Sequence, residues 1–585
     1  MTGPGPDGVP VVRPYGADAV LVDLPDLRAV RALDAALRTA APDSVLDVVP
    51  AARTVLVRGV PGRRTAWAAR VAALARESAG SAAAPPDAAG RADGGRGAGD
   101  DPGAAPPRTV EVPVVYDGPD LDEVAALTGL PVEEVVARHL AGGPGGYRVA
   151  FGGFMPGFAY VVGVDPVLHV PRRSSPRTRV PAGAVAVAGE FTAVYPGPTP
   201  GGWRLLGTSP EPVFDVTRGR DDAALLAPGD AVRFVRRRPA PVAASPAPGA
   251  TTVHPPGPAD APAPGPAPTD GPAPAGPGGD APVLLPLALT VVRTGPLVLV
   301  EDLGRPGLAA VGVPRSGAAD PAALVHANRL VGNAASAAGL EVLLGGLVVT
   351  FGGSTAFALT GAQADAHLDG VPVPHGVAVR APAGATLALG VPARGLRTWL
   401  AVRGGVDVAP VLGSRAHDQL SALGPAPVRA GDVLAYGTSF DGLPTPAAPG
   451  PTPPARLGPG RTVLLAATTG PRLGHLAPAA QDALWHRTWT VAPESNRVAV
   501  RLDGDPLALA GRGELPSEGL VPGAVQVPHD GRPVVFGADH PVTGGYPVVA
   551  VLTPQACARA AQLRPGERVR LVPAEGARPP RAAGA

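Results

Sequence analysis

The sequence predicts a mainly β chain: a small α/β unit at the N-terminus, then tandem β-barrels joined by Pro/Ala/Gly-rich links. Three observations predict it. The 585 residues include 79 glycines and 77 prolines, yet 45% are hydrophobic, enough for packed cores separated by low-complexity links. From Tyr147 onward, short apolar runs alternate with Gly/Pro turns about every 8–12 residues, the pattern of a barrel or sandwich. Three blocks end alike, on APGDAVRFV (227–235), RAGDVLAY (429–436) and RPGERVRLV (564–572), which suggests one barrel unit used three times. At roughly 150 residues per domain the length allows about three to five domains.

Each element follows in order. VVRPYGADAVLV reads as a hairpin turning at Gly16-Ala17. Residues 25–37 place Leu27, Val30, Leu33 and Leu37 on one helical face. VLDVV and TVLVR are two further strands, and 64–76 is a second amphipathic helix. Residues 77–108 and 239–282 carry too little large apolar surface to offset ordering entropy. EVPVVY is a strand and 121–140 two short helices. An internal echo follows: VPAGAV runs into VYPGPTPGGW, and VPGAV into VVFGADHPVTGGY. The predicted division is an α/β domain over 10–77, a disordered linker over 78–108, a barrel over 109–238, a Pro-rich linker over 239–282, a barrel over 283–443, a linker over 444–460 and a last barrel over 461–575.

Composition narrows the chemistry. Fifty basic residues against 49 acidic ones give a formal charge of +1, so nothing electrostatic points to nucleic acid. The chain has no lysine, which excludes a P-loop lysine, a Schiff base and a biotin-accepting lysine. Anions must be held by arginine or backbone N–H groups. The single cysteine, Cys557, excludes an internal disulfide and a Cys-based zinc cage and reads as a small buried core residue on a short helix. The N-terminus is unlike a signal peptide, and the longest apolar stretch, 281–292, holds Pro286 and is too short to span a bilayer. The expectation is a cytoplasmic protein.

Three polar constellations stand out. GFMPGFAY, PRRSSPRTRVPAGAV and YPGPTPGGWRLLG set Arg172, Arg173, Arg177 and Arg179 among prolines, as suits a carboxylate or phosphate, although solvated barrel corners would look the same. EDLGRPGLAAVGVPRSGAADPAALVHANRLVGN holds Ser316, but no His or Lys stands at a spacing that would activate it. Its helix begins near 318–321, a natural anion site. Glu518, Gln526, Asp539, His540 and Thr543 are candidates to order a water or Mg²⁺, or simply to bond the backbone in turns. His367 and His375 flank a DGVP turn and read as surface residues.

These motifs carry a resemblance. FMPGFAYVVGVDPVLHVPRRSSPRTRVPAGAVAVAG and VYPGPTPGGWRLLGTSP resemble the B-type component of bacterial 5-oxoprolinase, also described as allophanate hydrolase subunit 1 or the Kip kinase-inhibitor family. VEDLGRPGLAAVGVPRSGAAD, RGGVDVAPVLGSR, ESNRVAVRL, PSEGLVPGAVQVPHDGRPVV and DHPVTGGYP resemble the C-type component that partners it. The pair is similar to the carboxyltransferase part of urea amidolyase. The resemblance implies a natural fusion of the two components, cyclophilin-like barrels, and ATP-dependent opening of 5-oxo-L-proline to L-glutamate. It implies Mg-ATP as cofactor, no biotin on this chain, and a separate partner of the LamB/YcsF type. Carried over by motif, candidate catalytic residues are Glu518, Asp539 and Ser316. Candidate substrate- or phosphate-binding residues are Tyr160, Arg177, Arg179, Tyr195 and Trp203 in the first half. In the second they are Arg315, Asp320, Asn328, Asn496, Arg497, Arg501, Ser517, Gln526, Thr543 and Tyr546. Two departures from the family pattern, in GEFTAVYP and in 424–432, bear on substrate identity. The alternatives are biotin-dependent carboxyl transfer to urea or a related amide, and Kip-like regulation of a sensor kinase.

Overall fold

The computed structural model describes residues 8–40, 42–60, 62–83, 108–238, 287–445, 462–511 and 515–574. The predicted linkers over 78–108, 239–282 and 444–460 lie almost wholly outside these. One boundary moves: the second helix runs Arg64–Ala83, past the expected end at 76, because its continuation is Ala-rich and, apart from Gly80, meets no helix breaker before Pro85.

The N-terminal unit is an antiparallel sheet in the order Val11–Tyr15, Ala19–Asp23, Thr54–Gly59, Val45–Pro50, with helices Leu27–Ala40 and Arg64–Ala83 on one face. The strand Ala19–Asp23 is buried along its whole length. Side chains alternate between faces: Val20 and Val22 meet the helices, while Ala19 and Leu21 face the last barrel. Gly16, at φ +72, makes the hairpin turn, and a Cβ there would lie 2.8 Å from Val551.

Two barrels share one topology. In the first, around the sheet, the order is Thr109–Val114, Ala231–Arg236, Tyr147–Gly152, Ala159–Val162, Phe191–Val194, Ala184–Ala188, Arg204–Thr208, and a bridge between Val115 and Thr208 joins the ends. In the last, the order is Val463–Thr469, Arg568–Pro573, Trp489–Val491, Ala499–Asp503, Val534–Phe536, Ala524–Gln526, Val548–Leu552, fully closed. Both run first strand, last, second, third, fifth, fourth, sixth. Both pair the first strand parallel to the last, and both carry a two-stranded side ribbon, Arg177–Val180 with Thr199–Gly201 and Glu518–Gly519 with Thr543–Gly544.

The middle unit, 287–445, departs from the expected threefold repeat. Its first strand, Ala288–Arg293, pairs antiparallel with its last, Val433–Tyr436. Its strands form a seven-stranded and a five-stranded sheet that share one core through Leu289, Val300, Phe351 and Leu400. The shared PG/AG-Asp/Glu ending therefore marks a turn into a final strand and not a common topology. Asp320 caps the helix Pro321–Leu330, accepting from Ala323 N.

Apolar seams join the units. Tyr15, Leu21 and Leu56 pack on Leu520, Val521 and Val548 of the last barrel, and Ala223 of the first barrel on Leu308 and Leu412 of the middle unit. Phe154 N donates to Thr543 Oγ1 at 3.0 Å, and Arg220 to Leu412 O at 2.5 Å. Among the described residues no helix is long and apolar enough to cross a membrane.

Candidate functional site

The seam of three units leaves a cavity of about 320 Å³. The α/β unit contributes Asp18 and Arg58, the middle unit Leu303, Arg315 and Ser316, and the outer face of the last barrel Asn496, Arg497, Phe536, Val551 and Cys557. The middle unit's wall is a loop folded back on itself: Asp302 Oδ1 accepts from Gly304 N at 2.8 Å, and Arg315 O from Arg305 N at 2.8 Å. Ser316 has φ +52, a left-handed conformation unfavourable for a non-glycine residue. Its Oγ lies 2.6 Å from Asp539 Oδ1 and 3.2 Å from His417 O, and those contacts hold it there.

Behind that wall lies a buried charge hub. Arg497, 2% exposed, donates from Nε to Asp539 Oδ2 at 2.8 Å, from Nη1 to Glu341 Oε1 at 2.7 Å and from Nη2 to Gly317 O at 2.6 Å. Glu301 lies 3.3 Å away, and Glu341 also accepts from Arg397 Nε at 3.0 Å. Burial pushes Asp539 up, but Arg497 with help from Ser316 outweighs it and holds the carboxyl below its ordinary value. Glu301 is pushed well up, by burial first, with Glu341 and Asp539 adding to the shift against Arg497.

This geometry bears on Ser316. Asp539 Oδ1 takes the serine and Arg497, while Oδ2 takes Arg497 and Gln419 N. A carboxylate so fully engaged is a weak base, so it positions the serine. The His417 ring is turned to Pro425 O, 2.9 Å from Nδ1. His540 Nδ1 lies 2.7 Å from Pro541 O, and burial keeps that ring neutral, at about 4.

Of the residues singled out in the sequence, Arg315, Ser316, Asn496 and Arg497 meet at the cavity, with Asp539 behind Ser316. Asp320 stands further back, 3.3 Å from Gln562 Nε2. A second group lies at the seam between the first and last barrels: Tyr160 stacks on Phe151 at 4.4 Å, bonds Ser517, and sits with Tyr195 and Trp203 in one ring cluster. Thr543 closes that seam. Arg177 is bound to Asp120 at 2.6 Å. Arg179 and Arg501 are exposed, as is Tyr546, which lies edge-on to His529. Asn328 locks the chain internally, donating to Ala337 O at 2.8 Å.

Two expectations need correction. Glu518, Gln526, Asp539, His540 and Thr543 do not converge on a Mg²⁺: Glu518 pairs with Arg472 at 2.9 Å, Gln526 donates to Tyr546 O at 2.9 Å, and the others are engaged as described. The described residues hold no group of three or more His, Cys, Asp or Glu side chains fit for a metal. Cys557 is half-buried, packs against the core of the last barrel as expected and also lines the cavity, its thiol pushed up to about 12 by burial. His375 is not a free surface residue, since its Nε2 lies 2.9 Å from Ala364 O. Sequence reasoning missed Asp18, Arg58 and Arg397 on the cavity wall, and the buried pairing of Arg472 with Asp23 and Glu518. Arg58, Arg397 and Asp23 are each the one charged residue of their strands, Thr54–Gly59, Arg397–Val402 and Ala19–Asp23, and that was the signal.

Comparison with known proteins accords with this architecture. Residues 10–226 match the family model of the carboxyltransferase domain, subdomain C and D, and residues 311–573 that of subdomain A and B. The chain is 38% identical to the C-type component of 5-oxoprolinase from Escherichia coli (strain K12) over 288 residues, 48% of this chain and 90% of that protein. It is 48% identical to the B-type component of 5-oxoprolinase from Escherichia coli O157:H7 over 134 residues, 22% of this chain and 59% of that protein. It is also 32% identical to the urea amidolyase of Lachancea kluyveri over 311 residues, 49% of this chain but 17% of that much longer protein. The crystal structure of TTHA0988 superimposes with a TM-score of 0.71 at 34% identity, covering 96% of this chain and all of that one. The chain belongs to the carboxyltransferase-domain family of the B-type and C-type components of 5-oxoprolinase, with a B-like and a C-like half on one polypeptide.

Proposed function

We propose that this chain is the fused B/C component of an ATP-dependent 5-oxoprolinase, opening the lactam of 5-oxo-L-proline to L-glutamate together with a separate LamB/YcsF-type protein. One observation carries the reading: a B-type and a C-type 5-oxoprolinase sequence occur together in one chain, the latter over 90% of the relative's length. The three-unit cavity, about 320 Å³ and bordered by guanidinium groups, supports it as a small-molecule pocket.

A lactam is a poor electrophile, and ATP supplies the missing activation. The lactam oxygen takes the γ-phosphoryl group and ADP leaves. Water adds to the activated carbon, the ring C–N bond breaks with nitrogen leaving as the amine, and a second water releases phosphate from the acyl phosphate. This chain's residues would bind and orient the substrate against a wall that Arg497 and Asp539 hold rigid. The described residues offer no metal-binding cluster and the chain no lysine. Mg²⁺ in a nucleotide site needs only one or two carboxylates beside the phosphates, and in this reading the nucleotide and its metal sit at the interface shared with the partner.

The test is glutamate release from 5-oxo-L-proline with Mg-ATP, with and without a LamB/YcsF-type protein. Turnover that needs both proteins and ATP is expected. Absence of turnover while the two proteins bind would sink the substrate. A second reading, carboxyl transfer from carboxybiotin to a small amide, is favoured by the family's carboxyltransferase description and the urea amidolyase match. It predicts transfer to urea by the same preparation when carboxybiotin is supplied.

A further inference from the structure

The cations around the cavity are not equivalent. Arg497 is paired with Asp539 and Glu341, Arg397 with Glu341, and Arg58 with Asp18 at 2.9 Å. Among the described residues Arg315 has no ion pair, and its hydrogen bond is from Nε to Leu303 O at 3.2 Å. Among the described residues neither terminal nitrogen of its guanidinium has a hydrogen-bond partner, and the residue lines the cavity. Asp47, the nearby carboxylate on the α/β unit, is turned to the backbone, accepting from Gly307 N at 2.7 Å. Burial lowers the Arg315 pKa first and the like charge of Arg58 second, with Asp47 and Asp18 opposing. The rest of the wall is largely apolar, through Leu303, Val500, Phe536 and Val551.

We propose that Arg315, with Arg58 beside it, anchors the carboxylate of a small monoanionic ligand whose compact apolar or amide-bearing body lies against the last barrel. An unpaired guanidinium in a partly desolvated pocket binds a carboxylate through charge-assisted, two-pronged hydrogen bonds. Arg58, itself paired with Asp18, comes from the B-like half and Arg315 from the C-like half, so the two guanidinium groups share the cavity only where both halves meet. The assignment names the substrate class of the pocket and rests on reading that cavity as the substrate site.

The test is calorimetric titration of the full chain with matched pairs: 5-oxo-L-proline against 2-pyrrolidone, and cyclopentanecarboxylate against cyclopentanecarboxamide. Each carboxylate should bind roughly 10- to 100-fold more tightly than its neutral partner. Arg315→Gln should abolish that preference while leaving the neutral ligands unchanged, and Arg315→Lys, which also serves if the glutamine variant misfolds, should restore part of it. No preference for carboxylate in the parent chain, or equal losses for both members of a pair, overturns the proposal. So does inorganic phosphate binding more tightly than either carboxylate in an Arg315-dependent way. Arg315-dependent binding of cyclopentanecarboxylate without binding of 5-oxo-L-proline would uphold the subsite and defeat the oxoprolinase reading.

Discussion

The first and last barrels are the same fold covered in two different ways. In the side ribbon of the first, Gly201 stands opposite Arg177; in that of the last, Gly544 stands opposite Glu518. Val180 and Ala184 of the first barrel lie in a cluster sealed by Phe158, Tyr160, Tyr195 and Trp203. Their counterparts Val521 and Ala524 lie instead against Tyr15, Leu21 and Leu56 of the α/β unit. Rings belonging to the barrel itself supply most of that cover, with Leu27 and Ala52 of the α/β unit packed at its edge. A face covered by other units is closed only as well as three independent surfaces match, and here the mismatch is the cavity. The cavity and its charged wall lie where three units meet.

That contrast can be broken most forcefully at the hub. Arg497→Met leaves Asp539 buried without its cation and Glu341 with Arg397 alone, and the variant should lose about 3–5 kcal/mol of stability in chemical denaturation. A loss under about 1 kcal/mol would mean that the hub does not tie the last barrel to the middle unit.

A smaller effect has a pH signature. Asp418, fully buried, is pushed up to about 6, by burial first and by the charge of Asp539 second. Its folded pKa stands above the unfolded value, so the folded state holds the proton more tightly. This stabilising contribution is full below about pH 4 and is lost as pH rises through about 6. Asp418→Asn, which mimics the protonated form, should match the parent at pH 4 and exceed it by about 1–3 kcal/mol at pH 7. A difference independent of pH would refute it.

The smallest effect sharpens the other side of the comparison. Trp203→Phe in the ring-sealed barrel should cost about 1–2 kcal/mol through lost packing, and by the same amount at pH 4 and pH 7. A pH-dependent loss would show charge coupling in the first barrel too.

Much of this molecule was legible in one dimension because the signals are local. The echo from VPAGAV to VPGAV reported a real duplication, since turn glycines and alternating side chains are set by backbone geometry within a few residues. The helix and strand order of the α/β unit followed for the same reason. The middle unit's different topology was not legible, because similar final strands pair with either direction of a first strand.

At the site, sequence alone determined the chemistry available: arginine as the sole strong cation, no lysine, one cysteine. Tertiary structure decided which arginines are neutralised and which one is left for a ligand. Arg58, Arg315 and Arg497 are the same side chain chemically, yet carboxylates occupy two of them and leave Arg315 without an ion pair among the described residues. Coulombic pairing acts over a few ångströms in a low-dielectric seam, and which groups come that close is set by how whole units pack.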